Sequence, residues 1–220
     1  TRDYVLGLQV VLPTGSLIRT GARTTKGVVG YDLTRLLVGS EGTLGIFTEI
    51  VLRLIPAPQQ TRTLAALFSD LDQALRVVMA ILKQRLVPST LELMDRETLR
   101  VVDNHLQLGL PFEAEASLLI EVDGRARQVD EDLMAIEEIC RHFRPLDLRV
   151  AHSETEREIL WRARRGVSPA LGQIATGKIN EDVTVPRTEI ATLIRFARSL
   201  ARKYRLPVVC FGHAGDGNIH

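Results

Sequence analysis

Cysteine is scarce in this 220-residue chain, which contains only Cys140 and Cys210. Neither cysteine has a partner at metal-ligand spacing, and two cysteines are too few for a disulfide framework. Both lie in apolar runs of the sequence. We therefore expect two buried free thiols, as in a protein of a reducing compartment.

Long apolar runs and an excess of one charge are also missing. No run approaches the roughly 18 residues that cross a bilayer, so no transmembrane segment is expected within these residues. The chain has 28 Lys and Arg against 27 Asp and Glu, a net charge of +1, which gives no electrostatic reason to expect nucleic acid as a partner. Its 45% hydrophobic content excludes a disordered chain and is typical of one or two globular domains.

The first part of the chain has the pattern of strands around one short helix. Strands are predicted at residues 5–11, 17–20 and 46–55, and a helix at residues 32–38. Pro56 and Pro58 follow the last of these strands. Because proline cannot continue a strand ladder, we place a domain boundary near residue 58 and expect domains at residues 1–57 and 58–220.

The second part alternates short strands with helices. Strands are predicted at residues 64–68, 118–122, 146–151 and 206–211, and helices at residues 71–86, 129–143, 153–165 and 190–204. Ser69 with Asp72, and Ser153 with Glu156, are capping signals for two of these helices. The pattern predicts an α+β fold in which an antiparallel sheet is covered by helices on one face.

Residues 39–45, Gly-Ser-Glu-Gly-Thr-Leu-Gly, form a glycine-rich loop that Gly30-Tyr31-Asp32-Leu33 precedes. Such a loop permits positive φ angles and a close approach of its backbone to a ligand, and its N–H groups can hold a phosphate or the edge of a nucleotide ring. It matches neither the Walker loop nor the dinucleotide fingerprint. On glycine content alone, a plain turn between helix and strand is the favoured alternative.

Residues 211–220, Phe-Gly-His-Ala-Gly-Asp-Gly-Asn-Ile-His, place two histidines around a tight turn. A turn of this kind can bring His213 and His220 to one point, where an imidazole pair suits Zn²⁺ and similar divalent ions. Two histidines are an incomplete ligand set. Two loop histidines without a metal are the alternative on spacing alone.

A third candidate site combines Arg164, Ser168 and Lys178. Arg164 and Ser168 are four residues apart, so they share a helix face if the helix continues that far. Arginine offers a planar fork to a carboxylate, and lysine offers a point charge. A solvated charged helix face is the alternative.

Taken in order, the motifs at residues 1–15, 30–46 and 212–218 resemble the FAD-linked oxidases of the vanillyl-alcohol oxidase type. Within that family the chain is similar to the branch with the glycolate oxidase flavin subunit, D-lactate dehydrogenases and D-2-hydroxyglutarate dehydrogenase. The resemblance covers essentially the whole chain. It implies the C-terminal portion of a FAD-binding domain at residues 1–57, followed by the substrate (cap) domain at residues 58–220.

The resemblance also implies site residues. FAD contacts are implied at Gly39, Ser40, Glu41, Gly42, Gly45 and Ile46, with Gly30 and Tyr31 as further candidates. A divalent ion, usually Zn²⁺, is implied on His213 and His220, and a clamp for the substrate carboxylate on Arg164, Ser168 and Lys178, although the gap before Lys178 is one residue short. The family's first glycine loop would precede Thr1, and a Glu ligand and a His base would follow His220. We therefore expect the chain to be a fragment of a longer protein, incomplete at its C-terminus.

The activity implied by the resemblance is oxidation of a D-2-hydroxy acid to the 2-keto acid, with the hydride passing to FAD. The implied partners are the small 2-hydroxy acid, an iron–sulfur or other electron-accepting subunit, and a second copy in a homo-oligomer. The implied location is cytoplasmic, at the inner membrane through partner subunits. Three alternatives are open: a flavoenzyme for aryl alcohols, sugar lactones or alkyl ethers, a non-catalytic subunit, and a metallohydrolase built on the two histidines.

Overall fold

The computed structural model describes residues 2–22, 24, 27, 29–174 and 177–220. Thr1, where the first motif begins, lies outside the described residues. The chain divides into two compact units, Thr1–Ala57 and Pro58–His220. None of the described helices has the length and apolar character that crossing a membrane requires.

The first unit is a three-stranded antiparallel sheet with one short helix. Its elements are a 3-10 turn at Arg2–Tyr4, β1 at Val5–Val11, β2 at Leu17–Gly21, α1 at Leu33–Leu37 and β3 at Ile46–Leu52. β1 lies between β2 and β3, and its Leu8 and Val10 are buried against Leu37 of α1. The central strand is therefore the one whose alternate side chains form the core of this unit.

The second unit is built on a seven-stranded sheet. Its strands are β4 at Gln60–Phe68, β5 at Thr90–Asp95, β6 at Ala116–Gly124, β7 at Asp147–Val150, β8 at Val183–Thr184, β9 at Phe211–His213 and β10 at Asn218–Ile219. Their order is β7-β4-β6-β5-β9-β10-β8, and the paired strands are antiparallel. The predicted α+β fold with an antiparallel sheet is confirmed.

Helices pack on both faces of this sheet. They are α2 at Leu71–Lys83, α3 at Arg96–Leu106, α4 at Ala126–His142, α5 at Glu154–Arg165, α6 at Val167–Ile174 and α7 at Ile190–Tyr204, with a 3-10 turn at Arg187–Glu189 before α7. Leu64, Leu93 and Leu118 face a core shared with α2, α4 and α7. Leu67 and Met94 point the other way and pack with α3 and α6. The expected cover on one face is thus wrong, because the second face also carries apolar residues that must be removed from water.

Two other predictions need correction. The strand predicted at residues 206–211 is not there, and β9 begins only at Phe211. Pro207 has no N–H to give to a ladder, which explains why pairing starts after it. Ser69 does not cap α2 either, because the Asp70 carboxylate accepts a hydrogen bond from the backbone N–H of Asp72. The predicted cap at Ser153 is confirmed, since its hydroxyl accepts from the Glu156 N–H at 3.2 Å.

A fully buried carboxylate, Asp95, ties four elements together at the end of β5. Its Oδ1 accepts from the Thr98 N–H (3.0 Å) and hydroxyl (2.7 Å), which caps α3, and from the Cys210 N–H (3.2 Å) before β9. Arg198 of α7 donates to its Oδ2 at 3.3 Å. The single side chain therefore fixes where α3 begins, where β9 enters the sheet and where α7 lies.

Both cysteines are free and buried, as the sequence predicts. Burial raises the pKa of the Cys140 thiol to about 12, with a smaller contribution from Glu137. Burial and the nearby Asp95 charge likewise raise the pKa of the Cys210 thiol to about 12. Neither sulfur is a thiolate near neutral pH, so both behave as small apolar core groups.

A second buried carboxylate, Glu121 of β6, anchors α5 to the sheet. It accepts hydrogen bonds from the Thr63 hydroxyl (2.6 Å), the Arg157 guanidinium (2.8 Å) and the Trp161 indole N–H (2.9 Å). Burial opposes its ionisation, yet these donors and the Arg157 charge hold the pKa of Glu121 below its ordinary value of 4.5. Arg157 and Trp161 are four residues apart, so one stripe of α5 faces the sheet.

The two aspartate caps should differ in their contribution to stability. Asp95→Ala leaves Arg198 without its buried partner and several donors unsatisfied, so it should lower the free energy of unfolding by about 3–5 kcal/mol. Asp70→Ala removes an exposed cap and should cost about 1 kcal/mol. Urea unfolding of both variants measures the difference, and equal losses would contradict the central role of Asp95.

The stability contributed by Glu121 should depend on pH. Because its folded-state pKa is depressed, the contribution is complete above about pH 4.5 and is lost as the pH falls through the folded-state pKa. Glu121→Gln should therefore lower the free energy of unfolding by about 2 kcal/mol at pH 7 and by less at pH 3. Denaturation at several pH values tests this, with exposed Glu131→Gln as the control. A pH-independent loss would refute the assignment.

Candidate functional site

The glycine-rich loop joins α1 to β3 in the first unit. Gly39, Glu41 and Gly42 have φ angles of 94°, 50° and 81°. The Ser40 N–H donates to the Leu37 carbonyl at 3.0 Å, and the Thr43 N–H donates to the Ser40 carbonyl at 2.9 Å. The loop is thus a tight, internally bonded turn and not an extended connection.

Two features of this loop fit a bound cofactor. The Ser40 hydroxyl oxygen is buried and has no hydrogen-bond partner within the protein, an arrangement that costs free energy unless water or a ligand supplies one. A Cβ placed on Gly42 would meet nothing within 4 Å, so space is open beside the backbone there. The loop can therefore accept ligand atoms against its main chain.

The other candidate cofactor residues have different surroundings. A Cβ on Gly45 would lie 2.6 Å from the Val10 side chain and 2.8 Å from the Val11 carbonyl, so glycine is required there for packing on β1. Ile46, Gly30 and Tyr31 are exposed at the surface of the unit. Of the eight cofactor candidates, Gly39, Ser40, Glu41 and Gly42 form the compact turn.

The two histidines lie in the second unit, at the hairpin of β9 and β10. His213 ends β9, and His220 follows β10. The turn brings their imidazole rings together, with centroids 5.4 Å apart and planes at 83°. The Phe211 ring lies beside them, 5.4 Å from the His220 ring.

Each imidazole uses the same ring nitrogen for a carboxylate. His213 Nδ1 is hydrogen-bonded to Glu92, and His220 Nδ1 to Asp182. This leaves Nε2 of each ring as the atom that can bind a cation, an arrangement common at protein metal sites. In the described part of the chain, no group of three or more His, Cys, Asp or Glu residues could hold a metal ion by itself. The two Nε2 atoms could therefore supply only part of the ligand set of a divalent ion.

Glu92, which sequence reasoning missed, joins the histidine pair to Arg164. The Arg164 Nε donates to Glu92 Oε2 at 2.6 Å, while Oε1 bonds His213. The Glu92 side chain is only 7% exposed. The Arg164 guanidinium also lies 4.8 Å from the centroid of the Phe211 ring. The signal available in the sequence was a single acid inside the apolar run Leu91-Glu-Leu-Met.

Ser168 and Lys178 form a separate pair. Lys178 Nζ donates to the Ser168 hydroxyl at 3.1 Å, and both side chains are exposed. α5 ends at Arg165 and α6 begins at Val167, so Arg164 and Ser168 do not lie on one continuous helix. The three clamp candidates are therefore held as two pairs, Arg164 with Glu92 and Ser168 with Lys178.

Curated relatives align with the whole of this chain. It is 46% identical to the glycolate oxidase subunit GlcD of Bacillus subtilis over 220 residues, which are 100% of this chain and 47% of the relative. It is 36% identical to a D-lactate dehydrogenase of Anaerostipes hadrus over 230 residues, covering 100% of this chain and 48% of the relative. The chain spans about half the length of these curated relatives.

Solved structures share the fold at low sequence identity. A substrate-bound p-cresol methylhydroxylase matches with a TM-score of 0.73 and 14% identity, covering 99% of this chain and 50% of that chain. An alkyldihydroxyacetonephosphate synthase matches with a TM-score of 0.69 and 20% identity, covering 99% of this chain and 45% of that chain.

The family is given by a protein-family model. The model described as "FAD linked oxidases, C-terminal domain" matches residues 57–220. The resemblance read from the three motifs is thereby confirmed, and the chain belongs to the FAD-linked oxidases.

Proposed function

We propose that the protein carrying this chain oxidises a small D-2-hydroxy acid, such as glycolate or D-lactate, to the 2-keto acid. The observation that carries the proposal is Arg164 and His213 held by one buried carboxylate, with His220 beside them. A guanidinium recognises a carboxylate and an imidazole pair recognises a divalent ion, so the arrangement suits a substrate with adjacent carboxylate and hydroxyl groups. The glycolate oxidase and D-lactate dehydrogenase relatives support this substrate class.

Bound FAD would supply the hydride acceptor, and a divalent ion such as Zn²⁺ would supply a positive charge that stabilises an alkoxide. Gly39, Ser40, Glu41 and Gly42 would line FAD through backbone N–H groups and the unpartnered Ser40 hydroxyl. His213 and His220 would hold the ion through Nε2. The other four candidates for FAD contact are weaker. Gly45 is needed for packing on β1, and the exposed residues are Ile46, Gly30 and Tyr31.

Arg164 would bind the substrate carboxylate through its two terminal nitrogens, because Nε is engaged by Glu92. Its position on Phe211 restricts the plane of the guanidinium, which orients a bound carboxylate and so selects the face of the substrate carbon. Lys178 would supply a second positive charge, with the Ser168 hydroxyl as its hydrogen-bond partner. This part of the clamp is exposed and contributes less.

The electrons that reach the flavin need an acceptor. An iron–sulfur or other electron-accepting subunit fits this requirement, and the glycolate oxidase relative is itself described as a subunit. The proposal includes a homo-oligomer and a cytoplasmic location at the inner membrane through partner subunits. The two free, buried thiols agree with a reducing compartment.

The alternatives rest on weaker observations. The p-cresol methylhydroxylase match shows a shared fold and says nothing of the substrate, whereas the histidine pair favours a hydroxy acid over other alcohols. A metallohydrolase does not account for membership of an FAD-linked family. The third alternative is a non-catalytic subunit, and the following experiment distinguishes it from an enzyme.

The complete protein, purified with its flavin, should be reduced by one D-2-hydroxy acid. We expect anaerobic mixing with a panel of D- and L-2-hydroxy acids to bleach the oxidised-flavin absorbance rapidly for one D-acid. Bound flavin that no acid bleaches would reject the hydroxy-acid proposal and favour other alcohols. Absence of flavin from the complete protein would favour the non-catalytic subunit.

Arg164→Lys should weaken substrate recognition more than the same change elsewhere on α5. Lysine keeps a charge near Glu92 but loses the planar fork, so kcat/KM for the preferred acid should fall about 10–100-fold, mainly through KM. Arg157→Lys is the matched control, because Arg157 pairs with Glu121 on the same helix stripe. Equal kinetics for the two variants would remove Arg164 from the clamp.

A further inference from the structure

We propose that Glu92 is a positioning residue that selects the tautomer of His213 and, through the same carboxylate, holds Arg164 in register with it. The inference rests on the function proposed above, because it concerns the same pair of side chains. It assigns a role to a residue outside the histidine pair and outside the carboxylate clamp.

Glu92 is placed by the sheet itself. It lies on β5 directly opposite His213 on β9, and opposite Leu119 on β6. Directly opposed residues on antiparallel strands have neighbouring side chains on the same face. Strand pairing therefore brings the carboxylate to the imidazole, and the orientation of His213 does not depend on a mobile loop.

The hydrogen-bonding chemistry of Arg164 and Glu92 determines which ring nitrogen of His213 carries the proton. Arginine has only donors, so the Glu92 oxygen that it contacts must accept. A carboxylate paired in this way is an acceptor at its second oxygen too, so His213 donates from Nδ1. The neutral imidazole then has its lone pair on Nε2, the form that binds a cation.

Burial of Glu92 makes its selection of the His213 tautomer stronger than the selection that Asp182 exerts on His220. Glu92 is 7% exposed, whereas Asp182, the partner of His220, is 68% exposed. An exposed pair is screened by water and salt, whereas a buried carboxylate is costly when it loses either partner. The carboxylate that holds His213 is therefore less screened than the one that holds His220, while the His213 side chain itself is 46% exposed and the His220 side chain 26%.

Glu121 provides a matched control within the same sheet. It is also a buried carboxylate paired with an arginine of α5, but its other partners are Thr63 and Trp161. Glu121→Gln should disturb packing and charge about as much as Glu92→Gln, without touching an imidazole. A merely structural role for Glu92 predicts that the two variants behave alike.

Metal affinity is the first readout, measured on the complete protein after metal removal. The affinity for Co²⁺ is measured by titration, followed by the visible absorption of the bound ion. The affinity for Zn²⁺ is measured by competition with a coloured chelator. In Glu92→Gln the amide oxygen must accept from Arg164, so the NH2 group faces Nδ1 and the His213 proton moves to Nε2. The metal affinity should therefore fall about 10–100-fold. Glu121→Gln should stay within about twofold of wild type, and Asp182→Asn should lose less than Glu92→Gln.

Histidine tautomers are the second readout and do not require a Glu92 variant. In the metal-free wild type with ¹⁵N-labelled histidine, long-range proton–nitrogen spectra should show His213 protonated at Nδ1, with the signal assigned by its loss in His213→Gln. Protonation at Nε2, or Co²⁺ affinity unchanged in folded Glu92→Gln, would overturn the proposal. Wild-type protein that binds neither Co²⁺ nor Zn²⁺ would also overturn it, whereas failure of the flavin-reduction experiment with metal affinities as expected would reject only the proposed reaction.

Discussion

Two carboxylates buried on one face of the larger sheet, Glu92 and Glu121, are the constraint on which the candidate site depends. A buried carboxylate without a cation costs several kcal/mol, so each must be matched wherever the sheet places it. One helix, α5, supplies both cations, since Arg157 and Arg164 lie seven residues apart on one stripe. The position of α5 on this face of the sheet is therefore set by charge pairing as well as by apolar packing.

The same constraint explains why candidate site residues from distant parts of the sequence meet. Arg164 reaches Glu92 from the last turn of α5, and His213 reaches it from β9 through strand pairing. Asp95, three residues after Glu92, caps α3 and bonds the backbone just before β9, so it fixes the entry of the histidine hairpin. Capping, strand register and charge pairing thus converge within one segment of β5.

The sequence predicted those parts whose signals are local. The amphipathic period of α2, α4 and α7 marks each helix, and the glycine loop and histidine hairpin are recognisable as short motifs. β5 and α3 were missed because the strand passes directly into the helix at Asp95, without a glycine or proline between them. Glu92 was missed because its partners are 72 and 121 residues away, and strand neighbours at that distance leave no periodic pattern. The helices on the second face of the sheet were not predicted for a similar reason. Whether a face needs cover depends on which strands are central, and that order is set by pairing between distant residues.

Phe211 has a consequence for how the site responds to ionic strength. Its ring contacts both the Arg164 guanidinium, 4.8 Å from the ring centroid, and the His220 imidazole, whose centroid is 5.4 Å away. The Arg164 side chain is 19% exposed and its partner Glu92 only 7%. Dissolved ions screen exposed charges far more than partly buried ones, so the Arg164–Glu92 pair should keep most of its attraction as salt is added. The side chains of an exposed pair such as Arg127 with Glu131 are 92% and 55% exposed, so salt weakens that pair first.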